Sequence, residues 1–271
     1  MRRRRVLLVA GGIFVMNLSA VFGSVPRFDN FDGDSLSPMW KVFLDDPRNI
    51  LIEQTHSRLE VTSTDLSDEV DALVVSNAWS ICTSDDFKIK ADLYHSAVTN
   101  NWSEVYFGVG YRDDPLHYNE NYIEIALGCD FHEPGYWYER GAGDVELDTD
   151  WIPRYSSDAT LYISYDASLD KLYLSSTGYG PQNAWKTVTG VIKGDWNRAT
   201  VKIGLGGYSE GVPLASGQAR LDNFVIDEAT LCEVFLPADV NEDCKVDLAD
   251  FAMIAESWLA CNLDPQSACP Q

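Results

Sequence analysis

Oxygen-bearing side chains recur at alternate positions in a twelve-residue segment near the end of the chain, residues 239–250. Calcium takes about six to eight oxygen ligands, and a tightly coiled loop supplies them from positions 1, 3, 5, 7, 9 and 12. Position 7 acts through its backbone carbonyl, so a lysine is acceptable there. The residues at these positions are Asp239, Asn241, Asp243, Lys245, Asp247 and Asp250. The spacing predicts a loop that binds Ca²⁺, and the alternative is an acidic turn without metal.

An apolar stripe follows the loop. Between Leu248 and Ala260 the apolar residues are spaced by three and four, the pattern of an amphipathic helix. These residues are Phe251, Ile254, Ala255, Trp258 and Leu259. The stripe needs a cover, either the apolar residues of segment 231–236 or the face of another protein. We therefore predict that Phe251, Ile254 and Trp258 contact a partner.

The loop and helix together resemble half of a dockerin module, which is built on EF-hand-type calcium loops. The Asp-x-Asn-x-Asp opening and the aspartate at position 12 match that family. The resemblance implies calcium as a cofactor and a cohesin-like protein as partner. The chain departs from the family in having one loop–helix unit where dockerins usually have two. It also has Cys244 at position 6, where the sharp turn normally requires glycine.

A second group of carboxylates, Glu146, Asp148 and Asp150, is spaced by two. It resembles the Glu-x-Asp-x-Glu strand of laminarinase-like glycoside hydrolases. In a strand such residues point to one face, and a retaining glycosidase needs two carboxyl groups about 5 Å apart. Asp150 is one methylene shorter than the expected acid, and Thr149 replaces an apolar residue. The alternative is a solvated acidic stretch.

Aromatic residues suggest a sugar-binding surface, because their rings stack on the apolar faces of pyranoses. Tyr136, Trp137 and Tyr138 follow Pro134-Gly135 in a predicted loop, and we predict that these three bind carbohydrate. Trp102 and Trp151 are further candidates, whereas four tryptophans are expected in or near the core. These four are Trp40, Trp79, Trp185 and Trp196.

The sequence raises the question of a second calcium site and of a hydrolase triad. Asp32, Asp34 and Asp222 could hold a second calcium where the first and last strands meet. The histidines His56, His95 and His117 are isolated in the sequence, and nothing there places a serine or cysteine beside them. We therefore expect no hydrolase triad.

The elements that must position these residues are strands. From Phe28 to about Asp227, apolar residues alternate with polar ones, as in Phe87–Leu93 and Val105–Tyr111. Period two means one buried and one wet face, which is typical of antiparallel sheets. Gly, Asn, Asp and Pro separate the runs, as turns require. The pattern predicts a mainly β fold of two packed antiparallel sheets, a sandwich or jelly roll.

Three segments resemble concanavalin A-like lectin domains of secreted bacterial proteins. Residues 163–174 form a strand, a polar turn and a returning strand. Residues 28–40 resemble the first strands of such domains, and residues 219–226 resemble the last strand, which commonly pairs with the first. The resemblance implies a concanavalin A-like jelly-roll sandwich, a fold that serves lectins, hydrolases and structural modules.

The chain begins with a predicted secretion signal. Four arginines, Arg2 to Arg5, precede an uncharged stretch from Val6 to Gly23, and cleavage before Ser24 fits the small residues there. Loss of the four arginines would change the formal net charge from −22 to −26. Such a charge excludes nucleic acid as a partner, and we expect no membrane insertion after cleavage.

An even number of cysteines in a secreted chain predicts disulfides. We expect a bond from Cys244 to Cys261 or Cys269 that helps to hold the turn at position 6. The cysteines of the chain are Cys82, Cys129, Cys232, Cys244, Cys261 and Cys269.

These observations predict a signal peptide (1–23), a β-sandwich (24–227), a linker (228–236) and a dockerin-like module (237–271). The leading hypothesis is a secreted, extracellular or cell-surface protein that binds glycans without catalysis and docks through the calcium module. One alternative is a polysaccharide hydrolase using Glu146, Asp148 and Asp150. Another is a structural surface module without a small ligand.

Overall fold

The computed structural model describes residues 28–64, 69–96, 101–111, 121–130, 133–142, 145–153, 156–233, 238–240 and 244–258. The predicted signal peptide, the loop ligands Asn241 and Asp243, His117, and the cysteines Cys261 and Cys269 lie outside these ranges. In the described ranges, no helix is long and apolar enough to span a membrane.

Within these ranges, the regular structure consists of seventeen strands and one α-helix, together with a short helical turn at Val191–Asp195. The elements are β1 (Phe28–Asp29), β2 (Trp40–Leu44), β3 (Ile50–Thr55), β4 (Arg58–Ser63), β5 (Glu69–Ser76), β6 (Ser80–Cys82), β7 (Phe87–His95), β8 (Ser103–Tyr111), β9 (Asn121–Asp130), β10 (Glu133–Ala142), β11 (Val145–Pro153), β12 (Asp158–Asp166), β13 (Lys171–Ser175), β14 (Lys186–Thr189), β15 (Thr200–Glu210), β16 (Leu214–Glu228), β17 (Leu231–Cys232) and α1 (Leu248–Trp258).

The strands form two antiparallel sheets. The first sheet has the order β14-β13-β12-β7-β16-β4-β3, with β1 paired to β16. The second has the order β11-β10-β9-β8-β15-β5-β2, and β6 and β17 extend it from β15. The predicted mainly β, antiparallel two-sheet sandwich is therefore confirmed. Strand β17 falls inside the segment predicted as a linker, where it pairs with β6.

The core lies between the sheets and follows from the period-two pattern. In β7 the buried and half-buried residues alternate along the whole strand, because successive side chains point to opposite faces. Trp40 and Trp79 pack edge to face in this core, with ring centroids 5.8 Å apart. Trp196 is buried and Trp185 is half-buried against the same cluster. The predicted core tryptophans are thus confirmed.

The ends of the sandwich meet as expected from the sequence. Phe28 and Asp29 pair with Val225 and Phe224, which places the first strand on the last long one. The Asp29 carboxylate accepts hydrogen bonds from the Phe31 amide at 2.9 Å and from the Trp40 indole at 2.8 Å. The predicted hairpin is formed by β12 and β13, with Ile163 opposite Leu174.

Glu60 on β4 contacts the irregular first part of the neighbouring strand β16. Its carboxylate accepts hydrogen bonds from Arg58 Nε at 2.7 Å, Ser216 Oγ at 2.6 Å and the Gly217 amide at 2.9 Å. His56 Nδ1 lies 3.1 Å from the same carboxylate. Burial opposes ionisation, but these hydrogen bonds outweigh it and lower the pKa of Glu60 to about 2.

Candidate functional site

The outer side of the second sheet carries a continuous layer of aromatic rings. On β8 the residues Val105, Phe107 and Val109 fill the core, so the residues between them point outward. The same alternation applies to β9, β10 and β15. We call this side the aromatic face; its rings are Trp102, Tyr106, Tyr111, Tyr122, Trp137 and Tyr208.

Glycines on β15 let two of these rings lie flat on the sheet. A Cβ atom at Gly204 would lie 2.4 Å from the ring of Tyr111, and one at Gly206 would lie 2.5 Å from the ring of Tyr106. Both distances are far below a normal carbon–carbon contact. Tyr111 and Tyr106 therefore fill the space that side chains at these glycines would occupy, and they form a buried floor.

A second tier of rings stands above this floor. The ring centroids of Trp102 and Trp137 are 4.7 Å apart. Trp102 also packs edge to face against Tyr208, with ring centroids 5.5 Å apart. Trp102 and Trp137 are half-buried, so part of each ring faces solvent. The Trp102 indole donates a hydrogen bond to Glu104 at 3.0 Å. The Trp137 indole N–H is buried within the face, and its proximity to Glu139 acts to lower the pKa of that carboxyl group.

Carboxyl groups lie among the rings. Glu124 on β9 is directly opposite Glu139 on β10, so their Cβ atoms are about 5 Å apart. The Tyr111 hydroxyl donates to Glu124, and the Tyr122 hydroxyl donates to Glu139. On β5, Asp71 accepts a hydrogen bond of 2.7 Å from the Tyr106 hydroxyl.

The environment favours the protonated form of these carboxyl groups. Burial raises the pKa of Glu124 well above its usual value, and the nearby charge of Glu139 acts in the same direction. Burial likewise raises the pKa of Glu139, and it raises the pKa of Asp71 to about 7. The hydrogen bonds from the tyrosines oppose these shifts without cancelling them.

The predicted sugar-binding triplet is only partly on this face. Tyr136, Trp137 and Tyr138 lie in strand β10, not in a loop, so their side chains alternate. Tyr136 and Tyr138 are buried in the core, and the prediction that they form an exposed binding loop is wrong. Trp137 points outward and belongs to the aromatic face. Trp151 is opposite Trp137 on β11 and is half-buried.

The three carboxylates Glu146, Asp148 and Asp150 lie on β11 but do not share one face. A register shift between Arg140 and Gly141 puts Glu146 opposite Gly141 and Asp148 opposite Arg140. Glu146 acts electrostatically on Glu139 of the aromatic face. Asp148 and Asp150 instead contact Lys186 of the first sheet, at 3.2 and 3.6 Å. The predicted line of three carboxylates is therefore divided by the shift.

Sequence reasoning missed the carboxyl groups of the aromatic face. The signal was present, since Glu124 lies between Ile123 and Ile125 at the outward position of the alternating run on β9, but its position opposite Glu139 depends on the pairing of β9 with β10. It also missed Ser103, whose hydroxyl lies 3.0 Å from His95 Nε2. Ser103 and His95 are both buried, with 0% and 6% of their surface exposed. A substrate cannot reach this pair, so it is structural.

In the described part of the predicted calcium loop, backbone amides donate hydrogen bonds to two carboxylates. Asp239 accepts a hydrogen bond from the Cys244 amide at 2.8 Å. Asp250 is 1% exposed and accepts from the amides of Val240 and Asp247, both at 2.7 Å. These bonds bring positions 1, 9 and 12 of the loop together. Cys244 at position 6 has a φ of 70°, the left-handed conformation that explains the usual glycine.

A metal site is not complete among the described residues, which contain no group of three or more His, Cys, Asp or Glu able to hold an ion. The ligand set, with Asn241 and Asp243 outside the described ranges, stays a prediction. The same holds for the second calcium at Asp32, Asp34 and Asp222. Burial and the charges of Asp92 and Asp32 raise the pKa of Asp222, which indicates that these carboxyl groups lie close together.

The disulfide at the loop differs from the expected ones. Cys244 is bonded to Cys232, not to Cys261 or Cys269. The reason is that β17 pairs with β6 and brings Cys232 to the edge of the second sheet. Cys82 on β6 joins the group, with its Sγ 2.9 Å from Cys244 Sγ. Cys244 thus fastens the loop to the sandwich.

Helix α1 follows the loop as predicted, and its described part spans Leu248–Trp258. Phe251 and Ile254 are 65% and 37% exposed, and Leu248 is 83% exposed. The side chain of Trp258 lies outside the described set. The contact with a partner therefore remains a prediction.

No protein-family model matches the chain, and no curated protein matches it in sequence. Similar solved structures include a β-1,3-glucanase from Mycobacterium marinum, 14% identical, with a TM-score of 0.49 over 76% of this chain and 99% of the other. Lectin II from Ulex europaeus is 11% identical, with a TM-score of 0.49 over 72% and 94%. The CBM2 module of the evolved Dit of Lactobacillus casei BL23 phage J-1 is 12% identical, with a TM-score of 0.47 over 75% and 96%. The likeness is one of fold and carries nothing about function.

Proposed function

We propose that this chain binds carbohydrate on the aromatic face of its second sheet. The observation that carries the proposal is the group of half-buried rings Trp102, Trp137 and Tyr208, with carboxyl groups beside them. Sugars have apolar ring faces and polar edges, and a site for them needs flat aromatic surfaces with hydrogen-bonding groups at the rim. Glu104 and Glu139 supply hydrogen-bonding groups beside the rings.

The proposed activity is binding without catalysis. The sequence suggested hydrolysis through Glu146, Asp148 and Asp150, and the ion pairs of Asp148 and Asp150 with Lys186 argue against that assignment. One observation favours a different hydrolytic pair. Glu124 and Glu139 lie directly opposite each other on β9 and β10, and a retaining glycosidase uses two neighbouring carboxyl groups. Release of reducing ends that stops in Glu124→Gln would identify this activity, and intact glycan after prolonged incubation supports binding alone.

We also propose that the loop from Asp239 to Asp250 binds Ca²⁺ in a secreted protein, and that α1 presents Phe251, Ile254 and Trp258 to a cohesin-like partner. The inward carboxylates of Asp239 and Asp250 support the metal site. The large exposed area of Phe251 supports the docking role.

Replacement of Trp137 by alanine should weaken glycan binding by about thirtyfold or more, the size expected for a central aromatic contact. The measurement is a screen of immobilised polysaccharides with the full chain, followed by titration of those that bind. Tyr162→Ala is the matched control, because Tyr162 is a half-buried aromatic residue on the other sheet. Equal losses in the two variants, or no loss in Trp137→Ala, would contradict the proposal.

Calcium titration of the full chain should show one site with a dissociation constant between about 10⁻⁷ and 10⁻³ M. We expect Asp250→Ala to abolish that site, because Asp250 closes the loop at position 12. Asp85→Ala, which removes a carboxylate near the sandwich surface, serves as the control. Calorimetry or a fluorescent calcium competitor gives the readout. Unchanged calcium affinity in Asp250→Ala would refute the assignment.

A further inference from the structure

The aromatic face combines electron-rich rings with carboxyl groups. We propose that it prefers glycans with free amino groups, such as chains of glucosamine, over neutral and acidic glycans. The inference rests on the proposed function and adds the class of sugar. It follows from three features of the face: the acidity of its β8–β10 half, rings that attract cations, and the position of carboxyl groups next to the indoles.

The carboxyl groups of the face lack basic partners. Glu124, Glu139 and Asp71 form no ion pair with a lysine or arginine of the described ranges. Two lysines do lie on this side of the sheet. Lys202 on β15 is two and four residues from Gly204 and Gly206 and lies on the same side of the strand. Lys41 is on the edge strand β2, and its Nζ lies 4.6 Å from the centroid of the Phe43 ring. Both are on the β15–β2 half, so the β8–β10 half is acidic.

The rings strengthen the same preference. The faces of tryptophan and tyrosine are electron-rich and attract ammonium groups, most strongly where water is partly excluded. Trp102 and Trp137 are half-buried and 4.7 Å apart. An ammonium group over the exposed part of either ring gains this attraction, whereas a hydroxyl group or an acetamide does not.

Each indole has a carboxyl group at its rim. Trp102 is hydrogen-bonded to Glu104, and Trp137 is two residues from Glu139 on the same side of β10. A sugar ring stacked on an indole therefore places its substituents next to a carboxyl group. A charged amine at that position donates to the carboxylate, and such charge-assisted hydrogen bonds are about twice as strong as neutral ones.

The protonation of the face provides a separate signature. A bound ammonium group favours the ionised form of a neighbouring carboxyl group. Because burial holds Glu124 and Glu139 towards the protonated form, an amine that binds beside them should release protons. The groups that face this pair are Glu104, Tyr106 and Tyr111 on β8, Asp71 on β5, Tyr122 on β9, Glu146 on β11, and Lys202 and Tyr208 on β15. Three carboxyl groups and one lysine are therefore the charged or chargeable neighbours of the pair, besides the tyrosines.

The experiment is calorimetry on the full chain with three hexasaccharides: glucosamine, N-acetylglucosamine and glucose. At about pH 6 and moderate salt, the glucosamine hexamer should bind about tenfold tighter than the other two. Titrations in two buffers of different ionisation enthalpy should show proton release for this ligand alone. Glu139→Gln should reduce the preference to about threefold or less, and Glu124→Gln provides a second variant if the first fails to fold. Glu53→Gln, an exposed carboxylate on β3, should leave it unchanged.

The outcomes separate this inference from the proposed function. Equal affinity for the three hexamers, with binding lost in Trp137→Ala, would overturn the amine preference and leave glycan binding intact. A preference that persists in both glutamine variants would overturn it as well. Amine binding that ignores Trp137→Ala and disappears in salt would be a general effect of the acidic chain, and would overturn both. Proton release with a preference that depends on Glu139 supports the inference.

Discussion

Replacement of Glu60 by glutamine is expected to lower the free energy of unfolding by about 3 to 5 kcal/mol, the cost of breaking a buried ion pair. Glu60 is 2% exposed and holds Arg58, Ser216 and the amide of Gly217. Glutamine removes the charge and puts an amide N–H where one of these donors points. Arg58 would then be left without its buried counter-charge.

The effect should depend on pH in a defined direction. The folded-state pKa of Glu60 is lowered to about 2, below the usual value of about 4.3. The stabilisation is therefore fully present above the unfolded-state pKa and is lost as the pH falls towards the folded-state pKa. Denaturant unfolding at neutral pH should show the full difference between wild type and Glu60→Gln, and the difference should shrink between about pH 4.3 and 2. A difference that stays constant, or grows, towards acidic pH would contradict this account.

Replacement of Gly204 by alanine should destabilise the chain by about 1 to 3 kcal/mol, the usual cost of overpacking. The new methyl group would lie 2.4 Å from the buried ring of Tyr111. That ring is stacked on Tyr122 and donates its hydroxyl to Glu124, so it cannot move without disturbing the face. Glycan binding should fall together with stability.

Gly194→Ala is the matched control for this substitution, since the nearest atom to a Cβ there is 3.7 Å away. Thermal unfolding and glycan titration of the two variants give the comparison. If Gly204→Ala matched the control in both measurements, the flat packing of Tyr111 on β15 would be refuted.

The sequence predicted the parts of the fold that depend on local patterns. Period two identifies the strands, and the polar turn after Ile163 predicts the β12–β13 hairpin. The prediction from sequence was wrong at residues 134–138, because Pro134-Gly135 is a typical turn pair and indicated a loop where the structure has strand β10. In the structure, Gly135 lies inside a β10–β11 pair, where the Trp151 ring covers it. A glycine next to proline can thus serve ring packing as well as a turn.

The candidate site depends on strand order, which no local pattern contains. Tyr111 reaches Glu124 because β8 pairs with β9, and Glu124 faces Glu139 because β9 pairs with β10. Asp71 joins the face from β5, which reaches β8 only through β15. The candidate ligands of the loop at 239–250 are local in sequence, so their spacing alone could suggest them, and calcium binding there stays a prediction. The disulfide partner of Cys244 could not be predicted from the sequence, because β17 and β6 set the position of Cys232.

The most direct test of glycan binding on the aromatic face is the nuclear magnetic resonance spectrum of the tryptophan indole N–H groups. Titration with a glycan that binds should shift the signals of Trp137 and Trp102, because a sugar stacked on these adjacent half-buried rings changes the surroundings of both indole groups. The signals of the core residues Trp40 and Trp79 should stay in place. Shifts confined to other tryptophans, with Trp102 and Trp137 unmoved at saturation, would contradict the account.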